Sequence, residues 1–206
     1  MFNVNYLVPK KINNNDNIIQ ICSVDPGNRN LGIRIEKRYK DIDNKIKIDP
    51  IFFKNIDLGK NFYDFFSNIN AELNRIHDIL CRCNYFIVEK QVRKNYNCIR
   101  ISQHILTYFI IISENSELHP VVFEVDPKEK VDYLKIKKVK GMKRSERKEI
   151  VKGKTIEIAL YLLTLGKDSR SIEIINNSVK KDDLCDTIYQ IEYYLIKNNL
   201  RNFYII

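Results

Sequence analysis

The order of strand-like and helical segments along the chain constrains its fold more than any other feature. Residues 18–24 form a short, mostly apolar run that suits a central strand covered on both faces. It ends in the turn sequence Asp25-Pro26-Gly27-Asn28, after which residues 31–38 alternate apolar with charged side chains. Residues 46–56 supply a third strand. These three segments predict an antiparallel meander.

Beyond residue 60 the pattern alternates between helices and strands. The predicted helices carry apolar residues at intervals of three and four, and they cover residues 61–81, 97–114, 145–165 and 181–198. The predicted strands cover residues 85–88 and 121–125. A helix between two apolar strands implies a right-handed crossover and a parallel pair.

This element order is that of the ribonuclease H-like fold, an α/β fold. It predicts a five-stranded mixed sheet in the order 3-2-1-4-5 with helices on both faces. Residues 1–17 are polar and rich in Asn, so we expect an N-terminal extension followed by one domain over residues 18–206.

Composition excludes several classes of protein. The chain has neither an apolar stretch long enough for a membrane span nor the apolar core of a signal peptide, which predicts a soluble, intracellular protein. Five cysteines without a C-x-x-C pair favour a reducing compartment. The spacing of His77, Cys81 and Cys83 fits no common zinc module, and we interpret these cysteines as ordinary thiols.

Four acidic residues are candidates for a metal centre. Asp25 follows the first strand and Glu89 the fourth, and these strands are neighbours in the predicted sheet, so both carboxylates should lie at one edge. Asp183 and Asp186 stand one helical turn apart and share a helix face. Crowded carboxylates repel each other, and their oxygens suit Mg²⁺ or Mn²⁺.

The residues by themselves leave other roles open for these acids. Asp25 could simply belong to a hairpin turn. The acids at the start of the last helix could cap its N-terminus, which is the role we predict for Asp182.

Basic residues are concentrated in one segment. The formal net charge is +9, and residues 128–154 hold twelve Lys or Arg against four Asp or Glu. Such a segment beside an acidic cluster is typical of proteins that bind a polyanion such as nucleic acid. A solvated helix face or loop would explain the same charges equally well.

Three motifs resemble the metal-site motifs of RuvC-type Holliday junction resolvases, and within that family they resemble the poxvirus branch most. They are S-V-D-P-G-N-R-N-L-G at residues 23–32, I-V-E-K-Q at 87–91 and K-K-D-D-L-C-D-T-I at 180–188. The similarity extends over most of residues 18–197. It implies that the catalytic acids and metal ligands are Asp25, Glu89, Asp183 and Asp186.

The resemblance also implies the chemistry. Two Mg²⁺ ions per active site, or Mn²⁺ in their place, would serve phosphodiester hydrolysis that leaves a 5′ phosphate and a 3′ hydroxyl, without a small-molecule cofactor. A lysine of the basic segment would steady the phosphate; Lys148 is our choice, with Lys143 and Lys152 as rivals.

The implied substrate is a four-way DNA junction, cut by paired symmetric nicks during recombination or the resolution of viral genome concatemers in the host cytoplasm. We expect DNA contacts from Arg29, Lys90, Arg93, Lys94, Tyr96, Lys138, Lys140, Lys143, Arg144, Arg147 and Lys152. Bacterial relatives carry a base-stacking aromatic residue where this chain has Val92, and Tyr96 is the candidate substitute.

Two opposed nicks imply a C2 homodimer. The second long helix is the expected interface, because its apolar residues spread widely around it: Ile99, Ile101, Ile105, Leu106, Phe109, Ile110, Ile111 and Ile112. Enclosure of that helix within its own domain is the alternative, and a charge at Ile105 or Phe109 is the predicted test.

Two other functions compete with this one. A ribonuclease H acting on RNA:DNA hybrids would draw a ligand from the first helix, where Glu72 and Asp78 are available. A non-catalytic basic DNA-binding protein would explain the lysines and not the acids.

Overall fold

The strands form one mixed sheet in the order β3-β2-β1-β4-β5, as predicted. The computed structural model describes residues 18–91, 95–129, 142–200 and 202–205. The strands are β1 (Ile18–Pro26), β2 (Asn30–Lys40), β3 (Ile46–Asp57), β4 (Tyr85–Glu89) and β5 (Val121–Val125). β1, β2 and β3 pair antiparallel, whereas β4 runs parallel to both β1 and β5. The meander and the parallel crossover are therefore confirmed.

The described helices are α1 (Phe62–Arg75), α2 (His77–Leu80), α3 (Tyr96–Asn115), α4 (Arg144–Leu165), α5 (Ser169–Asn177) and α6 (Lys181–Lys197). None of them is both long enough and apolar enough to cross a membrane.

One helical prediction was wrong, and one helix was missed. Residues 61–81 do not form one helix, because the backbone leaves helical geometry at Ile76, where ψ is 13°. Ile76 and Leu80 are nevertheless buried, so the apolar spacing continues across the break and conceals it. Helix α5 was not predicted at all. Asp168 is its N-cap residue, and the Asp168 carboxylate accepts a hydrogen bond from the backbone N–H of Ser171 at 2.9 Å.

Side chains of the sheet alternate between two cores. On β1, Cys22 and Val24 face the core that the sheet shares with α1, α2 and α3. Ile19 and Ile21 pack with Ile191 and other apolar residues of α6 on the opposite face. Helices α4 and α5 pack against α6. Because side chains on a strand alternate, Asp25 continues the row of Ile19 and Ile21 and faces α6.

Helix α3 is mostly enclosed by its own domain. Ile105 and Phe109, predicted to lie in a dimer interface, are fully buried in the core with Phe86 and other sheet residues. The prediction was wrong for both, because the apolar spread around α3 reflects contacts with the sheet on one side and with α1 on the other. Ile110 and Ile111 are the exposed members of the set, at 40% and 53%.

Gly32 allows α6 to approach β2 closely. A Cβ at this position would lie 2.8 Å from the carbonyl oxygen of Asp183, which no side chain tolerates without moving the helix. Gly32 pairs with Asp25 across β1 and β2. The glycine thus brings the first turns of α6 to the tip of β1.

The charged side of β2 is buried rather than solvated. Arg34, Glu36 and Arg38 are completely inaccessible to solvent, and Glu36 lies between the two guanidinium groups. Arg34 also donates to Asp168 of the α5 N-terminus at 2.8 Å, and Arg38 pairs with Glu192 of α6. This buried ion cluster fastens α5 and α6 to the sheet.

The cluster also orders the end of the chain. Arg38 donates to the carbonyl oxygen of Phe203 at 2.9 Å, and the carboxylate of Glu192 accepts from the backbone N–H of Ile205. Burial by itself would raise the pKa of Glu36, but the two neighbouring arginines outweigh burial and lower that pKa. Glu36 therefore stays ionised in the folded protein.

Replacing Glu36 by Gln should lower the free energy of unfolding by about 3–5 kcal/mol, because Arg34 and Arg38 would lose a buried counter-charge. Urea unfolding near neutral pH measures the change. The pKa of Glu36 is lower in the folded protein than in the unfolded chain, so its ionised form stabilises the folded protein above the unfolded-state pKa. This stability is lost as the pH falls through the folded-state pKa. The difference in free energy of unfolding between wild type and E36Q should consequently become smaller in acid.

The control is Glu72→Gln, whose partners Arg75 and Lys54 are more than half exposed. It should cost less than about 1 kcal/mol. Equal losses for E36Q and E72Q would contradict a special role for the buried cluster.

Candidate metal centre

Three carboxylates from three elements converge at the tip of the sheet. Oxygen atoms of Asp25, Glu89 and Asp186 all lie within 4.8 Å of one another, and the three residues are half-buried. Asp25 and Glu89 each come one residue after Val24 and Val88, which are paired in the parallel register of β1 and β4. Asp186 comes from α6, which crosses this edge. These are three of the four acids predicted from the sequence.

The fourth acid, Asp183, lines the same cleft one helical turn before Asp186. It is hydrogen-bonded by the side chain of Asn55 and is not among the three converging carboxylates. Burial raises the pKa of Asp183, and the charges of Asp182 and Asp186 raise it further, against the opposing effects of Lys180 and Asn55. In the absence of a cation, the site therefore disfavours the ionised form of Asp183, which a bound cation would stabilise.

A cleft of about 350 Å³ opens over these acids. Five acids line it, together with Lys148 and Lys152 of α4 and with Lys180. Lys152 binds the carboxylate of Asp182 at 2.6 Å. This hydrogen bond raises the pKa of Lys152. Burial by itself would raise the pKa of Asp182, but Lys152 outweighs burial and the pKa of Asp182 is lowered overall.

Asp182 was predicted to cap the N-terminus of α6, but its side chain makes no capping hydrogen bond. Lys180 occupies the N-cap position, and Asp182 lies in the first turn. Its carboxylate is instead drawn to Lys152, which lies within reach because α4 packs against α6. The negative charge of Asp182 is therefore balanced locally.

Sequence reasoning missed a polar pair behind the acids. The hydroxyl of Ser23 donates to Oε1 of Gln190 at 2.9 Å, and Nε2 of Gln190 donates to Oε2 of Glu89 at 3.3 Å. Ser23 and Gln190 are both buried. The available signal was a glutamine four residues after Asp186, inside the apolar stripe of the last helix.

The donor set fits a hard divalent cation. All three converging ligands are carboxylate oxygens, which Mg²⁺ and Mn²⁺ prefer. Within the described ranges no other group of three acidic, histidine or cysteine side chains meets in this way. His77 lies 3.5 Å from the sulfur of Cys81 and 3.0 Å from the hydroxyl of Tyr108, and all five cysteines are free thiols.

The residues expected to contact DNA have varied locations. Lys148 and Lys152 line the cleft, while Lys143, Arg144 and Arg147 lie in the first turn of α4 and just before it. Arg29 and Lys90 are exposed beyond the acids of β1 and β4. The remaining four, Arg93, Lys94, Lys138 and Lys140, lie outside the described residues, as does Val92.

Tyr96 is the first residue of α3 and is 68% exposed. Two residues later, the thiol of Cys98 donates to Oδ1 of Asn28 at 3.0 Å. Burial raises the pKa of Cys98 to about 11, so the thiol keeps the proton that it donates. This contact connects the start of α3 with the turn that follows Asp25.

In metal-free protein near neutral pH, Asp183→Asn should raise the free energy of unfolding by about 0.5–2 kcal/mol. The pKa of Asp183 is raised in the folded protein, so ionising this carboxyl group costs more free energy in the folded protein than in the unfolded chain. This cost is absent below the unfolded-state pKa and is fully present once the pH has risen above the folded-state pKa. Urea unfolding in EDTA measures this, and the gain should shrink in acid.

Asp41→Asn is the matched control with the opposite sign. Backbone hydrogen bonds from Lys45 and Asp43, with Lys47, lower the pKa of Asp41, so its removal should not stabilise the protein. A D183N protein that is less stable than wild type at neutral pH would contradict the assigned electrostatic cost.

The chain is similar to three solved structures of resolvases. With "T. thermophilus RuvC in complex with Holliday junction substrate" the TM-score is 0.56 at 11% identity, covering 90% of this chain and 99% of that one. With the yeast mitochondrial Holliday junction resolvase Ydc2 it is 0.54 at 14%, covering 89% and 85%. With a second Thermus thermophilus RuvC structure it is 0.51 at 14%, covering 87% and 97%. These similarities confirm the fold.

In sequence, the chain is 29% identical over 128 residues to "Uncharacterized protein 170L" of Invertebrate iridescent virus 6. The match covers 55% of this chain and 50% of that protein, so the chain spans about half the length of this relative. No protein-family model matches the chain. The similarity to RuvC-type structures accords with the motifs, whereas these comparisons do not support the poxvirus branch.

Proposed function

We propose that this protein is a metal-dependent endonuclease that resolves four-way DNA junctions. The observation that carries the proposal is the convergence of Asp25, Glu89 and Asp186 beneath a cleft that also contains Lys148 and Lys152. Cation ligands beside lysines suit phosphodiester hydrolysis, because the substrate is an anion and the transition state gains charge. The RuvC-like fold supports the same reaction class.

Each residue has a role in this proposal. Asp25, Glu89 and Asp186 would hold Mg²⁺ or Mn²⁺. Asp183, which lines the same cleft, would support a second ion. A bound cation would supply Lewis acidity, which activates water and neutralises charge on the phosphate. Lys152 is engaged by Asp182, so Lys148 is our choice for steadying the phosphate.

Branched DNA is the proposed substrate. Lys143, Arg144 and Arg147 continue the row of basic residues on α4 beyond Lys148 and Lys152, where they would contact backbone phosphates. Tyr96 offers an exposed ring for stacking against a base, with the guanidinium of Arg100 5.7 Å from the ring centre. We extend the proposal to Arg29 and Lys90, which flank the acids.

A ribonuclease H activity is the weaker alternative. Its additional ligand would come from the first helix, but Glu72 is paired with Arg75 and Lys54. Asp78 lines a separate groove with His77 and Tyr108. A non-catalytic DNA-binding protein is also weaker, because it gives no reason for gathering mutually repelling carboxylates.

The biological setting is part of the proposal. The relative of matching sequence comes from an iridescent virus rather than a poxvirus. We therefore propose recombination or the separation of joined viral genomes in an infected cell as the task.

Purified protein with Mg²⁺ should introduce paired nicks in a four-way junction and spare a linear duplex and an RNA:DNA hybrid. EDTA should stop the reaction. Asp186→Asn should reduce cleavage by at least about 100-fold, because it removes a charged ligand oxygen from the centre. Labelled junctions on denaturing gels measure both results.

Asp43→Asn is the control, since this acid is exposed in the turn between β2 and β3, and the variant should cut junctions as well as wild type. Hybrid degradation that requires Asp78 would support the ribonuclease. Junction binding without any metal-dependent cutting would leave only the binding protein.

We propose a C2 homodimer that presents one site to each of two opposed strands. The exposed residues Ile110 and Ile111 of α3 replace Ile105 and Phe109 as the expected contact. Ile111 also borders the groove of about 450 Å³ between α3 and α2. Exposed isoleucines beside a groove suit association with a second copy.

Ile111→Glu should convert a dimer into a folded monomer that makes single rather than paired nicks, because the charge would lie in an apolar contact. Light scattering and junction assays measure the two effects. Tyr161 of α4 is also a large exposed residue, with 55% of its surface accessible to solvent, and it serves as the control. Tyr161→Glu should leave the dimer intact. A dimer that survives I111E would exclude this face.

A further inference from the structure

Glu89 is supported from behind by a buried amide. Gln190 is 1% exposed and Ser23 is fully buried, whereas Glu89 is half-buried at the cleft. The side chains form a chain of hydrogen bonds from the sheet interior to the acid, through Ser23 and then Gln190. Burying two polar side chains is costly unless they are paired. Their pairing here ends on a proposed metal ligand.

The chain of hydrogen bonds has one sensible direction. A hydroxyl can donate to or accept from an amide, but an ionised carboxylate only accepts. If the amide of Gln190 were reversed, its oxygen would face the carboxylate of Glu89 and repel it. Donation from Ser23 to Oε1 therefore directs Nε2 toward Glu89, at 3.3 Å.

The supporting residues lie on the same elements as the ligands. Gln190 follows Asp186 by one turn of α6, so the two side chains share a helix face. Ser23 precedes Asp25 by two residues on β1, so they share a strand face. Two rigid elements thus each provide one ligand and one member of the support for Glu89.

The geometry points to Gln190 as a positioning residue that orients the Glu89 carboxylate for cation binding, with Ser23 setting the orientation of the amide. This role rests on the proposed metal centre. Partners of metal ligands typically contribute a factor of about 10–100 in metal affinity. Gln190 acts through Glu89 and need not touch the cation or the DNA.

The test measures Mn²⁺ binding without DNA, by the loss of the free-ion signal in electron paramagnetic resonance. Gln190→Met keeps the length of the side chain and removes both polar atoms, and it should weaken Mn²⁺ binding about 10–100-fold. Ser23→Ala should weaken it less and in the same direction, since the amide loses only its orienting donor. Circular dichroism and urea unfolding establish that each variant is folded.

Thr187→Val is the matched control. Thr187 is buried on the same helix, and its hydroxyl donates to the carbonyl oxygen of Leu184 rather than to an acid of the site. T187V should keep the Mn²⁺ affinity of wild type. A loss in T187V equal to that in Q190M would reduce the effect of Gln190 to general packing of α6 and overturn the proposal.

A double-mutant cycle separates positioning from damage to the fold. In a Glu89→Gln background the carboxylate is gone, so adding Gln190→Met should weaken Mn²⁺ binding no further. An equal loss in both backgrounds, or unchanged affinity in folded Q190M, would overturn the role of Gln190. If wild type itself bound no Mn²⁺, the proposed metal centre and the positioning role would both fall, whereas unchanged affinity in Q190M removes only the latter.

Discussion

Close packing of α6 against the sheet is the constraint on which the site depends. Asp186 and Asp183 reach the tip of β1 only because Gly32 leaves room for the helix backbone. The approach brings like charges together, and the raised pKa of Asp183 records part of the electrostatic cost. Apolar contacts of α6 with the strands offset that cost, and the pairing of Arg38 with Glu192 fixes the position of the helix on the sheet.

Local pattern was sufficient for most of the fold. Alternation, helical spacing and strand order predicted the sheet and the edge at which Asp25 and Glu89 meet, because these depend on near neighbours and on general rules of connection. Helical periodicity placed Asp183 and Asp186 on one face of the last helix, and the resemblance to RuvC-type motifs implied that Asp186 is a ligand.

Partners distant in sequence account for what the pattern missed. The charged face of β2 is buried because Asp168 and Glu192, more than 130 residues away, supply counter-charges. The same kind of pairing hides Gln190 and diverts Asp182 to Lys152. The apolar breadth of α3 likewise could not distinguish an enclosed helix from an interface, since both bury isoleucine.

The bond between Cys98 and Asn28 has a mechanical consequence. It joins the first turn of α3, which carries the exposed ring of Tyr96, to the turn that follows Asp25. A nucleobase stacked on that ring and a phosphate bound above the acids would then contact two elements that are joined by a hydrogen bond. Under the proposed function, this connection would fix the distance between the branch point of the junction and the bond that is cut.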